Sequence, residues 1–178
     1  MLKDLSLPAS LAIRNGSVTL RNATERDLDA LMQLLADDTI SATRGDVGDA
    51  DDRPAYLAAL RAIVSDPANA LIVTVDASDT LVGTMQLTRI PGMARRGSTR
   101  LLVEAVRVRG DQRSSGIGSA MMRWVTDVAA RELGSSLVQL TSDAARRDAH
   151  RFYERLGFTG SHIGFKYRVT NGHRSNQR

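Results

Sequence analysis

A strand–turn–helix segment in the second half of the chain constrains the fold most strongly. Residues 103–118 read V-E-A-V-R-V-R-G-D-Q-R-S-S-G-I-G, which is an apolar β-like run followed by a glycine-containing turn. Ile117, Met121, Trp124 and Val128 then recur at helical spacing and predict an amphipathic helix. Because the first amide groups of such a helix point out of its N terminus, we expect a phosphate-bearing ligand to bind at the turn.

The composition is typical of one soluble globular domain. The 178 residues suffice to bury a core, the mean hydropathy is -0.21, and no apolar stretch is long enough to predict a membrane span. Residues 1–16 lack the pattern of a secretory signal, so we expect a cytoplasmic location. The chain has no cysteine, which excludes disulfides and thiol nucleophiles, and its three scattered histidines predict no metal site.

Positive charge is concentrated beside the turn. The formal net charge is +4, and residues 89–113 contain seven arginines against two acids. A solvated arginine-rich surface is one interpretation, but the adjoining glycine turn favours a phosphate ligand. Aromatic residues make up 4% of the chain and none lies among these arginines, so a stacking platform for nucleic acid is not expected.

The hydrophobic periodicity predicts elements in the order β-α-α-β-β-β-α-β-α-β. This order indicates an α/β (mixed α+β) class, with a mostly antiparallel central sheet of 6–7 strands flanked by about four helices. Residues 1–16 are expected to be an N-terminal extension, 17–169 one domain and 170–178 a flexible polar tail. The predicted strands are residues 18–21, 70–75, 81–88, 100–108, 137–141 and 163–169. The predicted helices begin at Thr24, Asp52, Gly116 and Arg147 and end near Ala36, Ser65, Glu132 and Leu156.

Two motifs resemble those of the GNAT superfamily of N-acetyltransferases. Residues 113–118, R-S-S-G-I-G, are similar to its R/Q-x-x-G-x-G/A motif, which wraps the pyrophosphate of acetyl-CoA. Residues 148–158, D-A-H-R-F-Y-E-R-L-G-F, are similar to its A-x-x-F/L-Y-x-x-x-G-F motif. The resemblance covers residues 18–169 and implies a GNAT-like single domain whose sheet is splayed between the fourth and fifth predicted strands.

The resemblance also assigns contacts with acetyl-CoA. The turn would hold the pyrophosphate, because glycine leaves room for the phosphate and the helix dipole favours an anion. The strand before the turn would bond the pantetheine arm through its backbone. Arg146 replaces an asparagine that often helps to hold the cofactor, so either Arg146 contacts the phosphates or the contact differs on that side. The implied cofactor-binding residues are Val106, Arg107, Val108, Arg113, Ser114, Ser115, Gly116, Ile117, Gly118, Ser119 and Arg146.

Tyr153 and Glu104 are the candidate catalytic residues. Tyr153 matches the general acid of the family, which protonates the thiolate leaving group; a tyrosine that only packs is the alternative. Glu104 is the candidate general base, because a charge on a buried strand is costly unless it is used or paired. A salt bridge from Glu104 to Arg100 or a nearby arginine is the equal alternative. His150 lies on a short helix and is interpreted as structural.

The residues and the resemblance together predict an acetyl-CoA-dependent N-acetyltransferase, an acyltransferase of the EC 2.3.1 type. Acetyl-CoA is the expected co-substrate, without a metal, and a primary amine of a small or amino-acid-like molecule is the expected acceptor. Alternatives are a protein lysine or N-terminal acetyltransferase, a CoA-binding regulatory module without turnover and, more distantly, a nucleic-acid-binding protein. Residues 37–52, with six aspartates, would suit a cationic acceptor or form a solvated acidic loop. Neither nucleic acid nor a membrane is an expected partner, and homodimer formation stays open.

Overall fold

A computed structural model describes residues 1–37, 45, 47–167 and 169 of the chain. The chain divides into two compact units, Met1–Leu140 and Thr141–Arg178. The first unit contains the sheet and the helices packed on it, and the second contains one further helix and the C-terminal segment. The predicted polar tail and half of the predicted acidic loop, residues 38–44 and 46, lie outside the described residues.

One six-stranded sheet forms the centre of the first unit. Its strands follow each other in sequence order, so each strand lies beside its neighbours along the chain. The pairs from β1 to β5 are antiparallel, and β5 pairs with β6 in parallel. The predicted mixed, mostly antiparallel sheet is thereby confirmed. The strands are β1 Ala9–Ile13, β2 Gly16–Asn22, β3 Asn69–Val75, β4 Leu81–Ile90, β5 Arg100–Val108 and β6 Leu137–Leu140.

The principal helices lie close to their predicted positions. Helices α1, Leu28–Ala36, and α2, Arg53–Ser65, bury their apolar sides against β3 in a shared cluster. Helix α3 begins as Ile117–Trp124, widens into a π-helical turn at Val125–Ala129 and ends with Ala130–Glu132. Helix α4, Arg147–Arg155, belongs to the second unit. In the described part of the chain, no helix combines the length and the apolar character needed to cross a membrane.

An ion pair between a half-buried arginine and a buried aspartate joins β2 to the start of α1. The carboxylate of Asp27 is 7% exposed and accepts hydrogen bonds from both terminal nitrogens of Arg21, at 2.8 and 2.9 Å. It also accepts the backbone N–H of Thr24 at 2.7 Å. The guanidinium of Arg21 lowers the pKa of Asp27 below its ordinary value, against the opposing effect of burial. Asp27 therefore fixes the turn that leads from the sheet into α1.

The two ends of the chain depart from the sequence predictions. Residues 9–13 lie within the expected extension, yet they form β1, and every residue of β1 pairs with a residue of β2. The strand predicted at residues 163–169 is wrong for the described residues 163–167, which form no regular secondary structure. The side chains of Ile163, Phe165 and Tyr167 are 83%, 93% and 91% exposed. Their alternation satisfies the local pattern, but a strand also needs a paired neighbour, which the pattern does not provide.

The last two strands of the sheet separate after four residue pairs. Arg100 to Val103 pair with Leu137 to Leu140, whereas β5 continues along β4 as far as Val108. Beyond Val103, the edge of β5 that faces away from β4 has no strand partner among the described residues. This confirms the predicted splay, which lies between β5 and β6 because β1 adds one strand to the count.

Candidate active site

The strand β5 contains a bulge just beyond the point where it leaves β6. Thr84 pairs with Arg107 but Gln86 pairs with Glu104, so two residues of β5, at positions 105 and 106, face one residue of β4. Ala105 has a φ of 51°, a left-handed conformation that costs an L-residue about 1–2 kcal/mol. Bulges and left-handed residues redirect backbone groups and are frequent beside functional sites. Nothing in the sequence marks this position, because alanine does not favour a positive φ.

The predicted pantetheine-binding residues run from the bulge to the end of β5. Val106, Arg107 and Val108 are half-buried. The guanidinium of Arg107 donates to the carbonyl oxygen of Val106 at 2.9 Å, so that acceptor is already engaged within the chain. The backbone N–H of Arg109 donates to the carbonyl of Val82 at 2.8 Å and ties the end of the strand to β4.

The predicted pyrophosphate turn contains two residues of positive φ and leads directly into α3. Ser114 and Gly116 both have positive φ, 65° and 97°, and they flank Ser115. The hydroxyl of Ser115 donates to the carbonyl of Gln112 at 2.6 Å, which closes the turn. In the described structure no side chain caps the N terminus of α3, which begins at Ile117. The first amide groups of the helix are therefore available to an anionic ligand.

Two residues far away in sequence hold this turn in place. The carboxylate of Asp37 accepts the backbone N–H of Gly110 at 2.9 Å, and the backbone N–H of Arg14 donates to the carbonyl of Ser115 at 3.2 Å. Sequence reasoning missed both anchors, because it placed Asp37 in an acceptor loop and Arg14 in an extension. No local pattern could have identified them, since each bond depends on long-range folding.

Two arginines follow the bulge on the surface. Arg109 forms a two-point ion pair with Asp111, at 2.7 and 3.1 Å, which lowers the pKa of that exposed carboxyl group. Arg113, at the start of the turn, has an exposed side chain that forms no ion pair with any described residue. Of these two arginines, Arg113 is therefore the one that could bind a phosphate without breaking an existing ion pair.

The side chain of Glu104 is exposed, so the expectation of a charge on a buried position is wrong. Leu101 and Val103 occupy the buried face of β5 at 0% and 1% exposure, and the strand alternation places Glu104 on the opposite face. The alternative salt bridge to Arg100 is also absent: Glu104 has no ion pair within the described residues. Its carboxylate lies one residue before the bulge and is open to solvent.

The candidate general acid lies in the second unit. The ring of Tyr153 on α4 packs edge-on against Phe152 and Phe158, with centroid distances of 5.1 and 5.8 Å. The backbone carbonyl of Tyr153 accepts the N–H groups of Leu156 and Phe158 at 3.0 and 3.1 Å, and Gly157 ends the helix with a φ of 87°. The half-buried ring of Tyr153 is thus held in a fixed orientation by its own motif.

The second unit also contains two other residues considered in the sequence analysis, His150 and Arg146. The Nε2 atom of His150 lies 2.9 Å from the carbonyl oxygen of Asp143, so this nitrogen carries a hydrogen and donates it. That bond supports the structural interpretation of His150. Arg146 is half-buried and directly precedes α4. No group of three or more potential metal ligands occurs in the residues that the structure describes.

Known proteins resemble the chain in fold. A crystal structure described as a transcriptional regulator from Bacillus halodurans C-125 is 39% identical, with a TM-score of 0.78 over 85% of this chain and 99% of that chain. Glucosamine-6-phosphate N-acetyltransferase from Arabidopsis thaliana is 15% identical, with a TM-score of 0.68 over 86% of this chain and 99% of the other. The second likeness concerns the fold alone.

The sequence comparisons agree with the fold. An aminoalkylphosphonate N-acetyltransferase from Salmonella typhimurium is 43% identical over 53 residues, which span 30% of this chain and only 34% of that protein. The Acetyltransferase (GNAT) family matches residues 28–158, which is most of the chain and includes both motifs. The chain therefore belongs to the GNAT family of acetyltransferases.

Proposed function

We propose that the protein is a cytoplasmic, acetyl-CoA-dependent N-acetyltransferase that transfers an acetyl group directly to a primary amine of a small or amino-acid-like acceptor. The observation that carries this proposal is the continuous segment from Ala105 to Ser119. It combines a strained bulge on an unpaired strand edge with an uncapped helix N terminus. The first feature suits a thioester arm and the second suits a pyrophosphate, which are successive parts of one ligand.

The residues suit the chemistry of aminolysis. An acceptor amine with a pKa of about 8–10 is largely protonated at neutral pH, and Glu104 accepts the proton that it must lose. The amine nitrogen then bonds to the thioester carbon, whose oxygen is polarised by backbone N–H groups near Val106. When the C–S bond breaks, the hydroxyl of Tyr153 protonates the thiolate, and the new amide nitrogen loses its second proton to solvent, from which Tyr153 recovers its own. The carboxylate of Glu104 is exposed and has no ion-pair partner among the described residues, which supports its part in this scheme.

The acceptor is proposed as a small amine rather than a protein. The relative named as an aminoalkylphosphonate N-acetyltransferase supports this choice, although the shared segment covers only 34% of that protein. A lysine side chain or an N-terminal amine of a protein is the alternative within the same chemistry.

Release of free CoA thiol from acetyl-CoA, measured across a panel of amines, tests the proposal. The panel contains aminoalkylphosphonates, the matching amino acids, and peptides with a free lysine or a free N terminus. We expect acetyl-CoA-dependent release with at least one small amine and slower release with the peptides. Binding of acetyl-CoA without release for any amine would instead favour a regulatory module.

A regulatory module is the second candidate because of one relative. The 39% identical structure from Bacillus halodurans C-125 is described as a transcriptional regulator. A module of this kind would bind acetyl-CoA without turnover. It would also bind DNA with a strong dependence on salt concentration, which an electrophoretic mobility assay at two salt concentrations measures.

A further inference from the structure

A polar side chain of β4 lies directly beside the candidate general base. Gln86 is the register partner of Glu104, so the two side chains project from the same face of the sheet. Residues paired in this way on antiparallel strands have Cβ atoms about 4.5–5.5 Å apart. Gln86 is half-buried, whereas Glu104 is exposed. The amide of Gln86 is therefore close to any molecule that contacts the carboxylate of Glu104.

Asn69, the first residue of β3, determines which way the Gln86 amide points. The Nε2 group of Gln86 donates to Oδ1 of Asn69 at 3.1 Å, and the hydroxyl of Thr88 donates to the same oxygen at 2.6 Å. The amide of Asn69 is kept from turning over by Asp66, the residue after α2. Its Nδ2 group donates to the Asp66 carboxylate at 2.8 Å, and an ionised carboxylate only accepts hydrogen bonds. Asp66 thus orients Asn69, and Asn69 orients Gln86.

This series of hydrogen bonds gives the sheet a second oxygen acceptor next to Glu104. Because the nitrogen of the Gln86 amide donates to Asn69, the Oε1 atom occupies the other end of the amide. Oε1 has no hydrogen-bond partner among the described residues. Glu104 has no ion pair there either, so a charged and a neutral acceptor adjoin on one face. Leu71, the partner of Gln86 on β3, packs against the apolar cluster of α1 and α2 and supplies an apolar border.

We propose that Gln86 binds the acceptor amine together with Glu104, and that Asn69 is a positioning residue for Gln86. This inference rests on the proposed function, in which Glu104 accepts a proton from the amine. A primary ammonium group has three N–H donors, of which Glu104 takes one and Oε1 of Gln86 takes a second. Once Glu104 holds the proton, the bond to Oε1 remains and keeps the nitrogen in place for its attack on the thioester.

Steady-state kinetics of thiol release, with the fastest acceptor of the amine panel, test the role of Gln86. Gln86→Met removes the acceptor oxygen and keeps the length of the side chain. We expect its KM for the amine to rise about tenfold or more, as the loss of a hydrogen bond to a charged group does. The Kd for acetyl-CoA should stay within about twofold of wild type, because the lost bond is made to the amine alone.

Three further variants separate amine binding from a purely structural role of these hydrogen bonds. Thr88→Val is the matched control, because it removes the other bond to Asn69 from the same strand and leaves Gln86 intact; its KM should stay within about twofold of wild type. Asn69→Leu and Asn69→Asp both lose the bond to Asp66, but only Asn69→Asp keeps an oxygen that accepts from Gln86. Asn69→Leu should therefore raise the KM for the amine about threefold or more, and Asn69→Asp should stay within about twofold.

The inference is overturned if Gln86→Met leaves the KM for the amine unchanged, if Thr88→Val raises it equally, or if the two Asn69 variants behave alike. A rise confined to Gln86→Met and Asn69→Leu, with acetyl-CoA binding intact, upholds it. If Gln86→Met does not fold, the comparison of the two Asn69 variants decides. If the wild-type protein releases thiol with no amine, the proposed function itself fails, and this outcome is distinct from an unchanged KM in the variants.

Discussion

Replacing Ala105 with glycine should leave the protein about as stable as it is now, although glycine usually weakens a strand. Ala105 has a φ of 51° in the central strand β5, and relief of this conformation contributes about 1–2 kcal/mol. Against this gain, glycine costs about 0.5–1 kcal/mol in a strand, and the half-buried methyl group costs roughly half of the 0.8 kcal/mol for a buried methylene. The free energy of unfolding should therefore change by between about −0.4 and about +1.1 kcal/mol.

Ala70 in β3 is the matched control. It lies in the same sheet, is 7% exposed and does not have a positive φ, so Ala70→Gly relieves no strain. It should lose about 1.3–1.8 kcal/mol from the glycine and methyl effects together. The two variants should thus differ in melting temperature by at least about 3 °C, given roughly 2–4 °C per kcal/mol at this chain length.

Urea and thermal unfolding, followed by the fluorescence of Trp124, measure both variants. Trp124 is the only tryptophan and is 5% exposed, so its emission reports the loss of the core. Equal losses of stability in Ala105→Gly and Ala70→Gly would refute the strained bulge. Ala105→Val adds a second measurement, because a β-branched residue tolerates a positive φ poorly and should destabilise the protein.

Three further predictions concern the turn, the ion pair and the acid. Gly116→Ala should reduce the free energy of unfolding by about 1 kcal/mol through its φ of 97°, since its Cβ meets nothing closer than the Arg14 nitrogen at 3.6 Å; urea unfolding measures the loss. Asp27→Asn should cost about 2–3 kcal/mol at pH 7. Because the folded pKa of Asp27 is lowered, this difference should persist above its unfolded pKa of about 3.9 and shrink as the pH falls below it, which urea titrations at pH 7 and 3.5 test. Tyr153→Phe should lower kcat for thiol release at least tenfold with little change in the Kd for acetyl-CoA, and an unchanged kcat would remove Tyr153 from the mechanism.

Sequence reasoning succeeded where the signals are local. The bounds of β5 agree with the prediction, and α3 begins at Ile117, one residue after its predicted start, because strand alternation, glycine and helical periodicity act within a few residues. The candidate pyrophosphate residues likewise form one turn because they are consecutive in the chain. The family resemblance added the splay between β5 and β6, which the pairing confirms.

Long-range structure decided the rest. Glu104 was expected to be buried because its neighbours in sequence are apolar, but its side chain is exposed. Whether a strand residue is buried depends on which face of the sheet is covered, and its neighbours in sequence do not indicate this. The last predicted strand had the correct alternation but no partner, and β1 paired with β2 although it had no strong pattern of its own. Both differences have the same cause: the stability of a strand comes from its neighbours as well as from its own residues.

The amino-acid sequence by itself determined the strand, the glycine turn and the helix that form the candidate anion site, because these follow from local backbone preferences. Only the tertiary structure decided the bulge at Ala105, the anchoring of the turn by Asp37 and Arg14, and the pairing of Gln86 with Glu104 across two strands. Each of these features joins residues that are distant in sequence or imposes a conformation that the residue would not adopt alone. Such features arise only when the complete sheet brings its strands together.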